Sequence, residues 1–375
     1  MALTDLTVSN PTVVGLPTSA LALPGDAPYA PSPAGLRQTR EAIAGYYADL
    51  GAHVDPERVV VTASTSEAYA FLWKLLCDAG DRVLVPRPSY PLFDFLLRLD
   101  CAEPVPFQAY DAGAIERALE VDSRIRALIL VHPNNPTGQY VEAPFADRVT
   151  RLVDEHALAL VVDEVFFDFP HAPSLPATTA GTFAGRTRHR GLTFTLSGLS
   201  KVCGLPGHKL GWIVVGGADD VATEALARLE LIADTYLSVS TPVQHAAPRL
   251  LADRHGFQNA CRERLRANLA TLDSLGLPRR ADSGGWTAVV PLAEDLDDEC
   301  IAVDLLEEDA VVTHAGYLFD IGEFGAAGTS REEDWRSTLV LSLLTPERTF
   351  AEGVARIAAR KLLHHVRGKN FPQVP

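Results

Sequence analysis

The chain is short of cysteine and lysine and has no long apolar run, and each shortage excludes something. Its 375 residues include five cysteines, Cys77, Cys101, Cys203, Cys261 and Cys300. They are scattered and odd in number, so they suggest neither a disulfide framework nor a paired metal site, and a reducing cytoplasm is the expected compartment. The histidines do not stand beside cysteines or carboxylates at ligand spacing, so no metal is expected. No stretch reaches the roughly 18 to 20 apolar residues that cross a bilayer. The opening Met1-Ala2-Leu3-Thr4-Asp5 lacks the basic and apolar regions of a secretory signal. No membrane association is therefore expected. No Gly-x-Gly-x-x-Gly follows a first strand, which argues against a nicotinamide enzyme. The net charge of -15 disfavours nucleic acid or an anionic membrane as partner.

What is present is the balance of a globular protein, 47% hydrophobic and 22% charged, long enough for more than one domain. Residues 9–33 are rich in proline and small side chains and read as an extended arm. A helix is expected over 36–50. Short apolar runs then alternate with helical patterns. Strands are expected at 59–62, 82–85, 127–131, 159–162, 192–196 and 211–215, with helices at 66–77, 90–99 and 143–155. Such alternation predicts an α/β fold, a mostly parallel sheet covered on both faces. Two longer helices are expected over 219–236 and 242–275. A new pattern starts near 281, with strands at 286–290 and 339–343 and a last helix at 350–363. The expected division is an N-terminal arm (1–35) joined to a smaller α+β domain (276–375), around a large domain (36–275).

Four strand ends carry chemistry. The run Thr195-Leu196-Ser197-Gly198-Leu199-Ser200-Lys201 places one of only five lysines after a buried strand. A buried amine suits Schiff-base chemistry with an aldehyde cofactor, although this lysine taken alone reads rather as one that snorkels from a loop. The strand at 159–162 runs into Asp163-Glu164, where a carboxylate can face a cationic ring nitrogen or simply cap a helix. The strand at 127–131 runs into His132-Pro133-Asn134-Asn135-Pro136-Thr137-Gly138, a stiff polar turn able to hold an amide against a ligand oxygen. The strand at 59–61 runs into Thr62-Ala63-Ser64-Thr65-Ser66-Glu67. Ser64 and Glu67 have capping-box spacing, and the helix start offers N–H groups and the Thr65 and Ser66 hydroxyls to an anion, or serves as a cap alone.

Taken together, Asn135-Pro136-Thr137-Gly138, Asp163-Glu164, Ser197-Gly198-Leu199-Ser200-Lys201 and the following Gly204-Leu205-Pro206-Gly207 resemble the class I/II aminotransferases. These are the aspartate-aminotransferase-like, fold type I enzymes that depend on pyridoxal 5'-phosphate (PLP). Pro88-Ser89-Tyr90-Pro91 and the arm from Tyr29 to Gly35 add to the likeness, which spans nearly the whole length. The resemblance implies a three-layer large domain, a smaller α+β domain and a cytoplasmic homodimer. Its substrates would be an amino acid or related amine and a keto acid. It gives Lys201 the Schiff base and the proton transfers, Asp163 the ring nitrogen, Asn135 the ring hydroxyl and Tyr90 a stacking face. Thr65, Ser66 and Lys209 would hold the phosphate, with Tyr29 reaching it from the neighbouring subunit.

Three positions depart from that pattern. Lys209 stands where the family has an arginine, keeping the charge but losing the bidentate fork. Phe166 stands where a tyrosine often touches the ring oxygen. Val340 stands where an arginine usually grips the substrate carboxylate, and a valine cannot bind an anion. Arg336, His314 and Tyr317 are candidates for the substrate side. The last two departures raise an alternative on the same fold: a PLP-dependent lyase, decarboxylase or cyclase.

Overall fold

A computed structural model describes residues 1–18, 31–185, 190–237, 239–280, 283–293, 296–321 and 335–360. A short strand β1 (Thr4–Asp5) and helix α1 (Arg37–Asp49) come first. The chain then alternates through β2 (Val59–Thr62), α2 (Thr65–Leu76), β3 (Arg82–Arg87), α3 (Phe93–Leu99), β4 (Glu103–Gln108) and α4 (Ala112–Val121). It continues through β5 (Ile125–Val131), α5 (Ala143–Glu155), β6 (Ala159–Asp163), β7 (Leu192–Gly198), the short helix α6 (Leu199–Val202) and β8 (Gly211–Gly216). Helices α7 (Asp219–Tyr236), α8 (Thr241–Ala252) and α9 (Arg254–Ser274) follow. The last part contains β9 (Thr287–Pro291), α10 (Asp298–Asp309), β10 (Val311–Val312), β11 (His314–Ala315), β12 (Thr338–Ser342) and α11 (Glu347–Ala359).

Among the described residues, seven strands form one sheet in the order β2-β8-β7-β6-β5-β3-β4. Only β8 runs against its neighbours; the other pairings are parallel. The central strands are buried along most of their length, as runs such as Val-Val-Val and Leu-Ile-Leu-Val require when both sheet faces are covered. On one face Val60, Phe194, Leu196 and Ile213 pack with Phe71, Leu72 and Leu229 of α2 and α7. On the other, Val59, Val61, Trp212 and Val214 meet Ile43 and Tyr47 of α1 and Leu250 of α8.

A second core joins both ends of the chain. Strand β9 pairs with β12, and β12 with β11, all antiparallel. The N-terminal arm closes this unit: β1 pairs with β10, and Ser342 N–H donates to the Leu6 carbonyl at 2.6 Å. Ala288, Val290, Leu339 and Leu341 face Leu265, Leu269 and Leu272 of α9 and Phe350 of α11. Helix α9 thus lends its apolar face to this second core.

The helix expected over 242–275 is two helices, because the chain turns at Asp253, which ends α8 and precedes α9. Helix α3 starts at Phe93 rather than 90, after the turn made by Pro91. Strand β4 escapes a periodicity reading because its Glu-Pro-Val-Pro-Phe-Gln sequence holds two prolines; it is tolerated because β4 lies at the sheet edge. Helices α4 and α10 also lay outside the expectation. No helix among the described residues is long and apolar enough to cross a membrane.

Candidate active site

Strand register gathers the chemistry-bearing ends at one edge. Val131, the end of β5, lies opposite Asp163, the end of β6, and Asp163 lies opposite Leu196 of β7. Gly198 and Thr62, the ends of β7 and β2, both lie opposite Gly211, the start of β8. In open α/β sheets, ligands bind outside such carboxyl ends. Gly211 permits the closest approach: a Cβ there would stand 2.9 Å from the Ser64 carbonyl carbon and 3.1 Å from Thr65 N. The start of β8 therefore runs against the N-terminus of α2.

That N-terminus is capped in a way that leaves it open to an anion. The Ser64 hydroxyl accepts from Glu67 N–H at 3.1 Å, and Glu67 Oε2 accepts from Ala63 N–H at 2.6 Å. The reciprocal bond of the expected box thus lands one residue upstream of the cap. The Thr65 and Ser66 hydroxyls, half-buried in the first turn, have no hydrogen-bond partner among the described residues. Lys209 sits two residues before Gly211, exposed, in the left-handed conformation with φ 50°.

Lys201 follows β7 within α6. Its Nζ lies 4.9 Å from the Trp286 ring centroid and 5.5 Å from that of Phe166. Burial holds its pKa below the ordinary lysine value, while the charge of Asp163 pulls the other way. The Asp163 carboxylate is buried and doubly held: Oδ1 accepts from Val165 N–H at 3.0 Å, and Oδ2 accepts from the Tyr69 phenol at 2.8 Å. Burial pushes its pKa up, opposed by the two donors and by Lys201. Burial and the Asp163 charge raise Tyr69 well above the usual phenol value, so Tyr69 stays a hydrogen-bond donor. Glu164 turns elsewhere, accepting from the Thr182 hydroxyl at 2.5 Å and from Phe183 N–H at 2.7 Å.

The two asparagines after β5 divide their work. Asn134 Nδ2 donates to the Pro88 carbonyl at 3.2 Å and Oδ1 accepts from the Thr137 hydroxyl at 3.1 Å, so it splints the turn to Pro88-Ser89-Tyr90. Asn135 is half-buried and its carboxamide has no hydrogen-bond partner among the described residues. Tyr90 is half-buried and stands edge-on to Phe93 at 5.6 Å; Phe93 in turn meets Tyr69 at 5.2 Å. Tyr29 lies outside the described residues.

On the other flank, Val340 is fully buried in a cluster with Val289, Phe319 and Trp335. His314 lies opposite Val340 in the sheet, its ring edge-on to Phe319 at 6.0 Å and its pKa lowered by burial. The Tyr317 hydroxyl meets Glu299 of α10 at 3.4 Å. Arg336 stands in a short turn, Trp335–Ser337, and its side chain lies outside the description. The structure therefore brings together Lys201, Asp163, Asn135, Tyr90 and the start of α2. It adds Tyr69 and Trp286, which sequence reasoning missed. Tyr69 had a readable signal: it lies four residues after Thr65, on the same helix face.

A mostly parallel sheet with one reversed strand, and with an amine, a carboxylate and an open helix end at its carboxyl edge, is the framework of the fold type I proteins. The chain belongs to the class I and II aminotransferase family, whose model matches residues 21–334. An LL-diaminopimelate aminotransferase of Desulforudis audaxviator is 30% identical over 352 residues, covering 90% of this chain and 83% of that protein. An alanine aminotransferase of Mycobacterium tuberculosis is 26% identical over 210 residues, covering 55% of this chain; the chain spans about half (48%) of that relative's length. Among solved structures, an aminotransferase from Escherichia coli superposes with a TM-score of 0.79 at 21% identity, covering 98% of this chain and 92% of the other. A tyrosine aminotransferase from Leishmania infantum gives 0.79 at 20% identity, covering 96% and 92%.

Proposed function

We propose that this chain is a PLP-dependent aminotransferase that passes an amino group from an amino acid to a keto acid, working as a homodimer in the cytoplasm. The observation that carries the reading is Lys201. Its amine sits between Trp286 and Phe166 with its pKa lowered by burial, near a buried carboxylate. An amine held this way gives up its proton more readily than an exposed lysine, and the neutral form is the nucleophile.

The residues present fit the cofactor. Bound PLP supplies an aldehyde for an amine and a heterocycle that withdraws electrons from the substrate carbon. Asp163, buried and held by neutral donors, would pair with a protonated ring nitrogen. The Thr65 and Ser66 hydroxyls and the open N–H groups of α2 suit a phosphate dianion, with Lys209 adding charge. Asn135 keeps a free carboxamide for the ring hydroxyl, and Tyr90 offers a stacking face. Phe166 brings apolar surface where a phenol donor would otherwise stand. The family resemblance adds Tyr29 of the partner subunit to the phosphate's holders. Lys201 Nζ then takes and returns the proton at the substrate carbon.

The relatives' names, alanine, glutamate-pyruvate and LL-diaminopimelate aminotransferase, support amino-acid donors and favour transamination over a lyase, decarboxylase or cyclase. A partner subunit is supported by exposed apolar side chains: Leu92, Phe95 and Leu99 along α3, and Tyr236 and Leu237 at the end of α7. Five unpaired cysteines support a reducing compartment. The test is a single turnover. Protein loaded with PLP and given L-alanine or L-glutamate, with no acceptor, should release one equivalent of the matching keto acid per site. Decarboxylated or eliminated product with the cofactor unchanged would reject transamination.

A further inference from the structure

Arg280 is a half-buried cation with no anion beside it among the described residues. Its pKa is lowered by burial alone, with no acid acting to raise it, and it forms no ion pair with a described residue. Its guanidinium carbon lies 4.3 Å from the Trp335 ring centroid. A cation–π contact offsets part of the desolvation, but a guanidinium removed from water also calls for hydrogen-bond acceptors.

Its surroundings say which side it serves. Arg280 stands just outside the sheet, its N–H donating to the Val289 carbonyl at 2.9 Å, and Val289 lies opposite Val340. Residues opposite one another in an antiparallel pair share a face. That face carries Val289, Val340, Phe319 and Trp335; the other carries Ala288, Val290, Leu339 and Leu341 and is sealed by α9 and α11. The Val289 face, where the Trp335 indole carries the Arg280 guanidinium, looks onto the turns of the active site. The Thr287 hydroxyl, two residues before Val289 on β9, donates to the Pro136 carbonyl at 2.8 Å, and the Phe319 carbonyl accepts from Ser89 N–H at 2.9 Å. Pro136 adjoins Asn135 and Ser89 adjoins Tyr90. The indole that carries the guanidinium also packs against Val340.

We propose that Arg280 receives the carboxylate of the substrate, reaching the site across Trp335 from a strand edge, over a sheet position that valine has closed to charge. The planar fork of a guanidinium matches a carboxylate bidentately, so the inference specifies an amine donor with a carboxylate rather than a simple alkylamine. It rests on the aminotransferase reading and deepens it.

The test pairs binding with turnover in PLP-loaded dimer, using wild type, Arg280→Gln and Arg280→Lys. Propanoate, which is alanine without its amine, probes the subsite by titration calorimetry. Arg280→Gln should weaken propanoate and raise KM for L-alanine by roughly 10- to 100-fold, with kcat less affected, and Arg280→Lys should fall between. Cofactor retention and any reaction with ethylamine should be unchanged. Equal propanoate affinity in wild type and Arg280→Gln, or no propanoate binding by wild type, would overturn the assignment. Failure of the wider reading looks different: wild type would bind propanoate through Arg280 yet release no keto acid from alanine or glutamate.

Discussion

The Tyr69 phenol donates to Asp163 at 2.8 Å, from the same helix that opens with Thr65 and Ser66. Thr65 and Tyr69 are four residues apart, about 6 Å along the axis and on one face. One rigid element therefore sets the spacing between the hydroxyls proposed to hold the phosphate and the carboxylate proposed to pair with the ring nitrogen. Tyr69 is a positioning residue for Asp163.

Tyr69→Phe should show this through pH. Burial already raises Asp163, and loss of the phenol raises it further. A carboxyl whose folded pKa exceeds its unfolded one holds its proton longer in the native state, so stability gained from it appears as pH falls and is lost as pH rises through the folded pKa. A hydrogen bond to a charged acceptor contributes about 1.5–3 kcal/mol. In urea unfolding of cofactor-free protein, the variant should lose more stability at pH 8 than at pH 5. Equal losses would show that the bond does not act on the ionised form.

Lys201 follows the opposite sign. Its folded pKa is lowered, so between that value and about 10.4 the unfolded chain binds more protons and stability rises with pH. Lys201→Met removes the amine but keeps the apolar stem against Trp286 and Phe166. Cofactor-free Lys201→Met should melt higher than wild type at pH 7, and the gap should shrink towards pH 10. A gap that does not change with pH would mean the amine is not desolvated.

Asp298 gives a third pH signature, on helix α10. It is buried at the start of α10, accepts from Tyr317 N–H at 2.8 Å, and burial pushes its pKa up to about 6. The native state then holds an extra proton from about pH 4 to 6, so this group costs stability as pH rises through that window. Asp298→Asn keeps an acceptor for Tyr317 and removes the charge. Thermal unfolding should show the variant gaining on wild type at pH 7 relative to pH 4.

Gly211→Ala tests the close approach of β8 to α2. The added Cβ meets backbone atoms of Ser64 and Thr65 at 2.9 and 3.1 Å, which cannot swing aside as a side chain can. Overpacking of this kind costs about 1–3 kcal/mol. Denaturant unfolding should register that loss, and PLP should dissociate faster on dilution because the proposed phosphate site at the start of α2 is displaced.

The strand ends were readable because each closes a short apolar run: Thr62 after Val-Val-Val, Asp163 after Leu-Val-Val, Lys201 just past Thr-Phe-Thr-Leu. The chemistry-bearing residues follow those runs directly, so a local pattern finds them. Tyr69, Trp286 and Arg280 depend on packing between distant segments. Tyr69 meets Asp163 across 94 positions, and Trp286 meets Lys201 only after β9 docks against the large sheet. Arg280 lies in an irregular stretch that no periodicity marks. Strand β4 was hidden by its prolines, and the break at Asp253 by helical propensity continuing on both sides.

The central claim is that the amino group of Lys201 is the one that condenses with PLP. Incubation with PLP, reduction with borohydride and peptide mapping measure it directly. The account predicts a single reduced adduct on Lys201, absent from Lys201→Met. An adduct on Lys209 or another lysine, or no adduct in folded protein, would contradict it.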